Sequence, residues 1–405
     1  MNWFDFYKGK KVLITGHTGF KGTWMTALLL RAGAKVTGYA LEPQSSPNLF
    51  DLCEFSGNFK NVYGDIRELE ALKEVFQKEK PEIVIHMAAQ PIVRESYASP
   101  VYTYDVNVMG TVNVMECVRL CDSVRSVVNV TTDKVYKNRE WCWGYRENEE
   151  LNGFDPYSNS KSCSELVTSC YRSSFLQEAG VAVSTARAGN VIGGGDFAAD
   201  RIMPDCVRAV EAGKEILVRN PRSIRPYQHV LEPVAAYLQL AAAQYEDREF
   251  AGSYNVGPEE ADCLTTGGLV ELFCRKWEQR TGYLPAWTDG NRNETRTGGP
   301  EEAEGPGGRQ EGAEGPDGRQ EGTEGPDGGP DGRTAQTAAK KREPHEAGYL
   351  KLDCSKLKER LGWKPVWNMD RTMEMLVEWY AGYLEHEDVQ ACMERQITAF
   401  LQKSV

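Results

Sequence analysis

The chain has 405 residues, 40% hydrophobic and 26% charged, which is enough for a sizeable core and more than one domain. With 47 Lys plus Arg against 59 Asp plus Glu the net charge is −12, which argues against nucleic acid as a partner, since phosphate binding needs a basic face. No run of about 18 or more apolar residues is present, so neither a membrane span nor a membrane partner is expected.

The N-terminus shows no signal-peptide pattern. The 11 cysteines include no C-x-x-C pair, and Cys117, Cys121 and Cys170 fall in apolar helical stretches. This predicts reduced, buried thiols in a cytoplasmic protein. The histidines at 17, 86, 229, 345 and 386 lack metal-ligand spacing, so no metal site is expected.

In chain order, strand and helix alternate. Val12-Leu13-Ile14 is a β-rich run ending at Gly16, and a helical pattern covers 20–31 with Gly33 as its stop. Lys35–Leu41 reads as a second strand and Asn61–Tyr63 as a third, followed by a helix over 67–79 closed by Pro81. Glu82–Ala88 is the fourth strand, and a long helical pattern runs over 100–121. Val127–Thr131 is the fifth strand, a helix covers 157–176, and Val181–Arg187 is the sixth strand. This alternation predicts an α/β fold, a Rossmann-like doubly wound parallel sheet that binds ligands beyond its strand C-termini. After about residue 195 the pattern is mixed, with strands at Ile216–Arg219, Ser253–Val256 and Tyr349–Leu352. A smaller mixed C-terminal part is expected there. Residues 298–332 instead repeat a Glu-, Gly- and Pro-rich unit every ten residues without a Leu, Ile, Val or aromatic side chain. Such a stretch cannot bury enough apolar area to offset its ordering, so 291–342 is expected to be a disordered low-complexity insertion.

Directly after the first strand comes Gly16-His17-Thr18-Gly19-Phe20-Lys21-Gly22, a G-x-x-G-x-x-G opening a helix. Gly16 allows the tight turn, Gly19 lets a pyrophosphate approach the backbone, and Gly22 lets the helix pack on the sheet. Glu42 stands where a carboxylate could hold an adenosine ribose, and Asp65 where an adenine edge could be met. Tyr157 and Lys161 share one face of a helix preceded by Asp155-Pro156. A nearby ammonium stabilises a phenolate and brings Tyr157 towards neutral pH as a base. Thr131-Thr132-Asp133-Lys134-Val135-Tyr136 follows the fifth strand, at the same edge of the sheet.

The glycine loop, Asn107 in an N-x-x-G-T run, Thr132 and the Tyr157/Lys161 pair resemble the extended short-chain dehydrogenase/reductase superfamily, in its NAD-dependent epimerase/dehydratase family. GHTGFKG (16–22), TTDKVYKN (131–138), DPYSNSKS (155–162), ARAGNVIGGGDF (186–197) and RPYQHVLEP (225–233) are similar to the subfamily of CDP-glucose 4,6-dehydratases. Relatives acting on dTDP-glucose or GDP-mannose mostly carry Thr-Asp-Glu where this chain carries Thr-Asp-Lys. The resemblance implies NAD as cofactor, held by Gly16, Thr18, Gly19, Phe20, Gly22, Asp65, Ile66, Ala88, Ala89, Gln90, Asn107, Tyr157 and Lys161. It implies a nucleotide-sugar substrate met by Asn190, Arg201 and Arg225, with Arg208 as an alternative.

It also implies a hydride relay from C4 to C6 of the sugar. Tyr157 would take the C4 hydroxyl proton, and Asp133 would protonate the departing C6 hydroxyl. Lys134 is the candidate for removing the C5 proton, a role that requires a neutral amine, with a purely electrostatic role as the alternative. A 4-epimerase would need Tyr157 and Lys161 but not Asp133-Lys134 as an acid/base pair. Residues 1–195 would form the cofactor domain, joined again by segments near 225–258. Residues 196–288 and 344–385 would take the substrate, and 386–405 would be a C-terminal helix or tail. A homodimer or homotetramer is expected through the helices at 100–121 and 157–176, whose apolar residues include Val112, Met115, Leu166 and Val167. His17 and His229 are expected to be packed or hydrogen-bonding rather than catalytic, and His86, with Ala88, Ala89 and Gln90, ends the fourth strand, where the resemblance places the cofactor ribose.

Overall fold

A strand whose central residues are all apolar belongs in the middle of a sheet covered on both faces. In the computed structural model, which describes residues 2–290 and 348–404, β1 (Lys11–Thr15) is such a strand. Val12 and Ile14 point into one hydrophobic layer and Leu13 into the other, as the two-residue period of a strand requires. In β4 (Ile83–His86), Ile83 and Ile85 likewise oppose Val84. In β5 (Ser126–Val130), Val128 and Val130 oppose Val127.

With β2 (Lys35–Ala40), β3 (Phe59–Tyr63), β6 (Ala182–Ala188) and the strand Ser253–Val256, these build a seven-stranded sheet. Its order is Ser253–Val256, β6, β5, β4, β1, β2, β3, and every pair is parallel. The chain builds outward from β1 in one direction and then restarts at β4 on its other side. The crevice beyond the C-termini of β1 and β4 is therefore the switch point, where sheets of this kind take ligands.

The expected helix over 20–31 is present as Phe20–Arg31, and the first six expected strands lie within two residues of their observed ends. The strand over 253–256 is present as expected, and Ile216–Val218 is one residue shorter than expected. Four expectations need correction. The helix over 157–176 is α-helical as Pro156–Tyr171 and ends in a π turn over Arg172–Leu176. The helix over 100–121 is three pieces, Pro100–Tyr104, a wider π turn over Asp105–Met109, and Gly110–Arg119. Tyr349–Leu352 is not a strand but makes single bridges, Tyr349 to Ile224 and Leu352 to Tyr145. Cys170 is exposed rather than buried, although all 11 cysteines are free.

The C-terminal stretch is a helix, Val389–Ser404, that buries Val389, Met393, Ile397 and Phe400 in the larger hydrophobic layer. The expected disordered insertion over 291–342 lies outside the described residues. Among the described residues no helix is long and apolar enough to cross a membrane, and no group of three or more His, Cys, Asp or Glu could hold a metal ion.

Candidate active site

The glycine loop joins β1 to the helix Phe20–Arg31. Gly16 has φ +81°, and a Cβ there would lie 2.7 Å from the backbone nitrogen of Ala88, at the end of β4. No other residue allows that turn and that approach together. A Cβ on Gly22 would meet the Gly16 carbonyl oxygen and lie 2.6 Å from His17 Cα, so the third glycine is required by packing alone. At Gly19 a Cβ meets only one atom at an ordinary 3.5 Å, which leaves this side of the loop open towards the helix N-terminus. Open loop and helix dipole together suit a diphosphate.

Around it, Thr18 Oγ1 donates to the Leu41 carbonyl at 2.9 Å, Phe20 is half-buried, and Ile66 is buried beneath Gly110. Glu42 is exposed. Both carboxylate oxygens of Asp65 already accept bonds from Arg67, including 2.7 Å from Nη2, and Arg67 also reaches Asp105 at 3.1 Å. Ala88, Ala89 and Gln90 follow β4. Asn107 accepts from the Gln90 N–H at 2.8 Å, and its amide nitrogen donates to the Gln90 carbonyl at 3.0 Å and to Ser160 Oγ at 2.9 Å. Its side chain is thus spent on tying the end of β4 to the helix that carries Tyr157. The π turn is what brings it there.

That helix is Pro156–Tyr171. Asp155 caps it by accepting from the Ser158 N–H at 2.9 Å, and Pro156 occupies the first turn, where its missing N–H costs nothing. Tyr157 and Lys161 lie on its buried face. Burial pushes the Tyr157 hydroxyl up to about 12, opposed by a hydrogen bond with Thr132 and by the Arg201 charge. Burial also pushes Lys161 down to about 8, opposed by Glu165, while its Nζ donates to the Val130 carbonyl at 3.2 Å.

The turn after β5 carries the other group. Thr132 Oγ1 donates to Asp133 Oδ1 at 2.9 Å, and Lys134 Nζ donates to the same oxygen at 3.1 Å. Lys134 Nζ also reaches Asn190 Oδ1 at 3.1 Å. Asp133 is fully buried, and its Oδ2 has no hydrogen-bond partner among the described residues.

Of the expected substrate residues, Asn190 is therefore beside Lys134. Arg201 pairs with Asp196 at 2.9 Å, a contact that raises its pKa, and it also feels the charge of Tyr157. Arg225 is buried, with Nη1 donating to the Ile224 carbonyl at 3.1 Å. Arg208 pairs with Asp205 and bonds the Phe197 and Ala198 carbonyls.

The histidines are packed. His86 lies between Thr15 Oγ1 at 2.7 Å and Thr111 Oγ1 at 3.2 Å, and burial pushes it down to about 3. His17 bonds Asn61, and burial lowers it to about 4. His229 sits against Trp24 and Trp367, and burial lowers it to about 3.

The sequence reading assigned no role to Lys21, although it lies within the glycine motif. Its Nζ reaches Tyr237 Oη at 3.4 Å, and it is pushed down to about 7 by burial and by the charges of Arg201 and Lys161. Glu165 and Arg187 also escaped it. They form a two-pronged ion pair at 2.9 and 2.8 Å under the Lys161 turn. The spacing of Glu165 four residues after Lys161 was a visible signal; its partner on β6 was not.

A family model described as GDP-mannose 4,6 dehydratase matches residues 13–259. CDP-glucose 4,6-dehydratase of Salmonella typhimurium (strain LT2) is 40% identical over 403 residues, covering 98% of this chain and 98% of that protein. CDP-paratose 2-epimerase of Salmonella typhi is 26% identical over 287 residues, 65% of this chain and 82% of that protein. A solved structure of dTDP-glucose 4,6-dehydratase from Bacillus anthracis, in complex with NAD, matches with a TM-score of 0.68 at 18% identity, covering 94% of this chain and 99% of that one. UDP-glucose 4-epimerase from Thermotoga maritima, with UDP-glucose, matches with a TM-score of 0.67 at 18% identity, covering 92% and 99%. These two likenesses speak for the fold. With the family model spanning more than half of the chain and a 40% identical relative spanning nearly all of it, the chain belongs to the nucleotide-sugar dehydratase family that the GDP-mannose 4,6 dehydratase model describes.

Proposed function

We propose that the protein is an NAD-dependent dehydratase that converts CDP-glucose to CDP-4-keto-6-deoxyglucose, a step towards deoxysugars of cell-surface polysaccharide. The observation that carries this reading is the Asp133–Lys134 contact beside Tyr157 and Lys161. A 4-epimerase needs only the second pair; loss of water needs an acid and a base as well. The 40% identity to CDP-glucose 4,6-dehydratase supports the choice of nucleotide.

The glycine loop fits a dinucleotide, with its open face at Gly19 and a helix N-terminus behind it. When bound, NAD supplies the hydride acceptor at C4 and the hydride donor at C6. The chain's own residues do the rest. Tyr157 takes the C4 hydroxyl proton, with Lys161 as the cation that favours its phenolate. The 4-ketone so formed acidifies the C5 hydrogen. Moving one proton from Lys134 Nζ to Asp133, which meet at 3.1 Å, turns an ion pair into a neutral amine and a neutral acid. The amine then takes the C5 proton and the acid gives its proton to the leaving C6 hydroxyl. Oδ2 of Asp133, buried and without a hydrogen-bond partner among the described residues, is the oxygen left free to carry that proton.

Asn190, Arg201 and Arg225 meet the nucleotide sugar. Residues 1–195 with 225–258 carry the cofactor, and 196–288 with 344–385 the substrate. The enzyme works in the cytoplasm, as its 11 free cysteines suit, and as a homodimer or homotetramer. Val101, Met109, Leu166 and Phe175 are exposed apolar side chains on the helices expected to pair, whereas Met115 is buried within the subunit, contrary to its expected place in the interface. Incubating the protein and NAD with CDP-, dTDP-, UDP- and GDP-linked hexoses, followed by mass spectrometry for loss of water, tests the function. Faster dehydration of dTDP-glucose or GDP-mannose than of CDP-glucose would overturn the substrate.

A further inference from the structure

Glu165 lies one turn beyond Lys161 on the helix Pro156–Tyr171, and its partner Arg187 lies on β6. The two side chains are 2% and 3% exposed. Every acceptor site on the carboxylate is engaged: Oε1 accepts from Arg187 Nε and Thr131 Oγ1, and Oε2 from Arg187 Nη2 and, at 2.7 Å, from Thr185 Oγ1. The remaining guanidinium nitrogen, Nη1, donates to Tyr136 Oη and to the Glu147 carbonyl, both at 2.9 Å.

Burying such a pair costs so much desolvation that apolar residues of the same volume often serve stability as well or better. Its placement gives it another use. Thr131 directly precedes, and Tyr136 directly follows, the stretch Thr132–Val135 that carries Asp133 and Lys134. One ion pair therefore grips that turn at both ends and anchors it to the helix bearing Tyr157 and Lys161.

We infer that the Glu165–Arg187 pair is a positioning device for the reaction, holding Lys161 as the cation beside Tyr157 and fixing the Asp133–Lys134 turn against the Tyr157 helix. The inference rests on the roles given above to Tyr157 and Lys161. The charged and titratable groups around Lys161 are Glu165 and Tyr157 on its own helix, Lys21 from the glycine helix and His86 from β4. Of the other two, His86 on β4 is neutral, and Lys21 on the glycine helix adds repulsion. Glu165 is then the group that opposes loss of the Lys161 proton.

The test uses the full-length protein with NAD and CDP-glucose, and compares Glu165→Gln, Glu165→Asp and the double variant Glu165→Gln/Arg187→Gln. Turnover is expressed per folded site, counted by NAD binding. Glu165→Gln keeps the shape and removes the charge. It should lower kcat at least about tenfold with KM within about threefold, and move the alkaline limb of the kcat–pH profile down by about one pH unit, because the ammonium has lost its counter-charge. Glu165→Asp keeps the charge and shortens the arm. It should lower kcat while leaving the alkaline limb where it is.

Should Glu165→Gln alone fail to fold because Arg187 is left unpaired, the double variant removes both charges and should show the same loss of kcat with a smaller shift in the same direction, since a positive charge leaves together with the negative one. A purely structural pair would change melting temperature and yield in every variant, and leave kcat per folded site and the limb untouched; that result overturns the inference. Tyr157→Phe is run in parallel. Inactive Tyr157→Phe beside a wild-type kcat in the Glu165 variants sinks the positioning role alone, whereas active Tyr157→Phe sinks the reading of the site on which it stands.

Discussion

Replacing Tyr157 by Phe removes one oxygen and keeps the ring in its buried place. Thr132 Oγ1 still has Asp133 at 2.9 Å, so the local fold has no reason to change. The hydroxyl has been pushed up to about 12 by burial. Ionising such a group at pH 7.5 costs about 6 kcal/mol, at 1.36 kcal/mol per pH unit. A cation about 4 Å away, at an effective dielectric constant of about 20, returns about 4 kcal/mol, so the bound site needs more than one positive charge close to this oxygen. The Arg201 charge already acts in the balance that leaves the hydroxyl at about 12, so the further charges are the nicotinamide ring of bound NAD and Lys161, which at about 8 carries its proton in about nine of ten molecules at pH 7.

Two consequences can be measured. Wild-type kcat should fall as pH rises through about 8, where Lys161 loses its charge and the phenolate its support. Tyr157→Phe should lower kcat by about a hundredfold or more, the usual worth of a general base, and keep its NAD dissociation constant within about threefold. The assay is the alkaline absorbance of the 4-keto product, with NAD binding by calorimetry. A variant that keeps more than about a tenth of the wild-type rate would remove Tyr157 from the role of base.

Three further outcomes are expected. Glu232 is buried with its carboxylate on the Val366 and Trp367 N–H groups, and burial pushes it up to about 7. The folded state then holds a proton that the unfolded state has released between about pH 4.5 and 7, so stability falls as pH rises through that window, by about 3 kcal/mol in all. Glu232→Gln keeps an acceptor and should raise the melting temperature at pH 8 and flatten its pH dependence; a loss of stability at pH 8 would refute this. Leu166→Asp puts a charge on a side chain that is 58% exposed on the expected subunit contact, and should give monomers in sedimentation at micromolar concentration, with the secondary structure unchanged. An unaltered oligomer would remove this face from the interface. Deleting residues 291–342 and joining the ends by a short Gly-Ser linker should keep kcat/KM within about tenfold, because the segment has no Val, Leu, Ile, Met or aromatic residue to contribute to a core; failure to fold would show that it is needed.

What could be read in the sequence was what local chemistry decides. Strands covered on both faces leave unbroken apolar runs, so Val12–Ile14 and Val127–Thr131 stood out. The helix Phe20–Arg31 stood out because glycines bracket it. Gly16 and Gly22 carry the same meaning in sequence and structure, since both are demanded by backbone atoms a few residues or one strand away. What escaped depends on partners far along the chain. The helix over 100–119 widens at Asp105–Met109 to seat Asn107 between Gln90 and Ser160, and neither partner is visible in the periodicity of the helix itself. Tyr349–Leu352 has strand-like composition, but it touches two different loops at single bridges, and composition does not show how many neighbours a strand will find.

The groups proposed for catalysis divide the same way. Tyr157 and Lys161 are legible because one helical turn joins them. Asp133 and Lys134 are adjacent in the chain, yet the facts that give them chemistry are not local. These are the buried unpartnered Oδ2, the Asn190 contact across 56 residues, and the Arg187–Glu165 pair that grips the turn from both sides. A dehydratase must keep an acid and a base within one proton's jump of each other without letting them relax into solvent. The residues that prevent that relaxation are drawn from β5, β6 and the helix Pro156–Tyr171, which meet only once the sheet has formed.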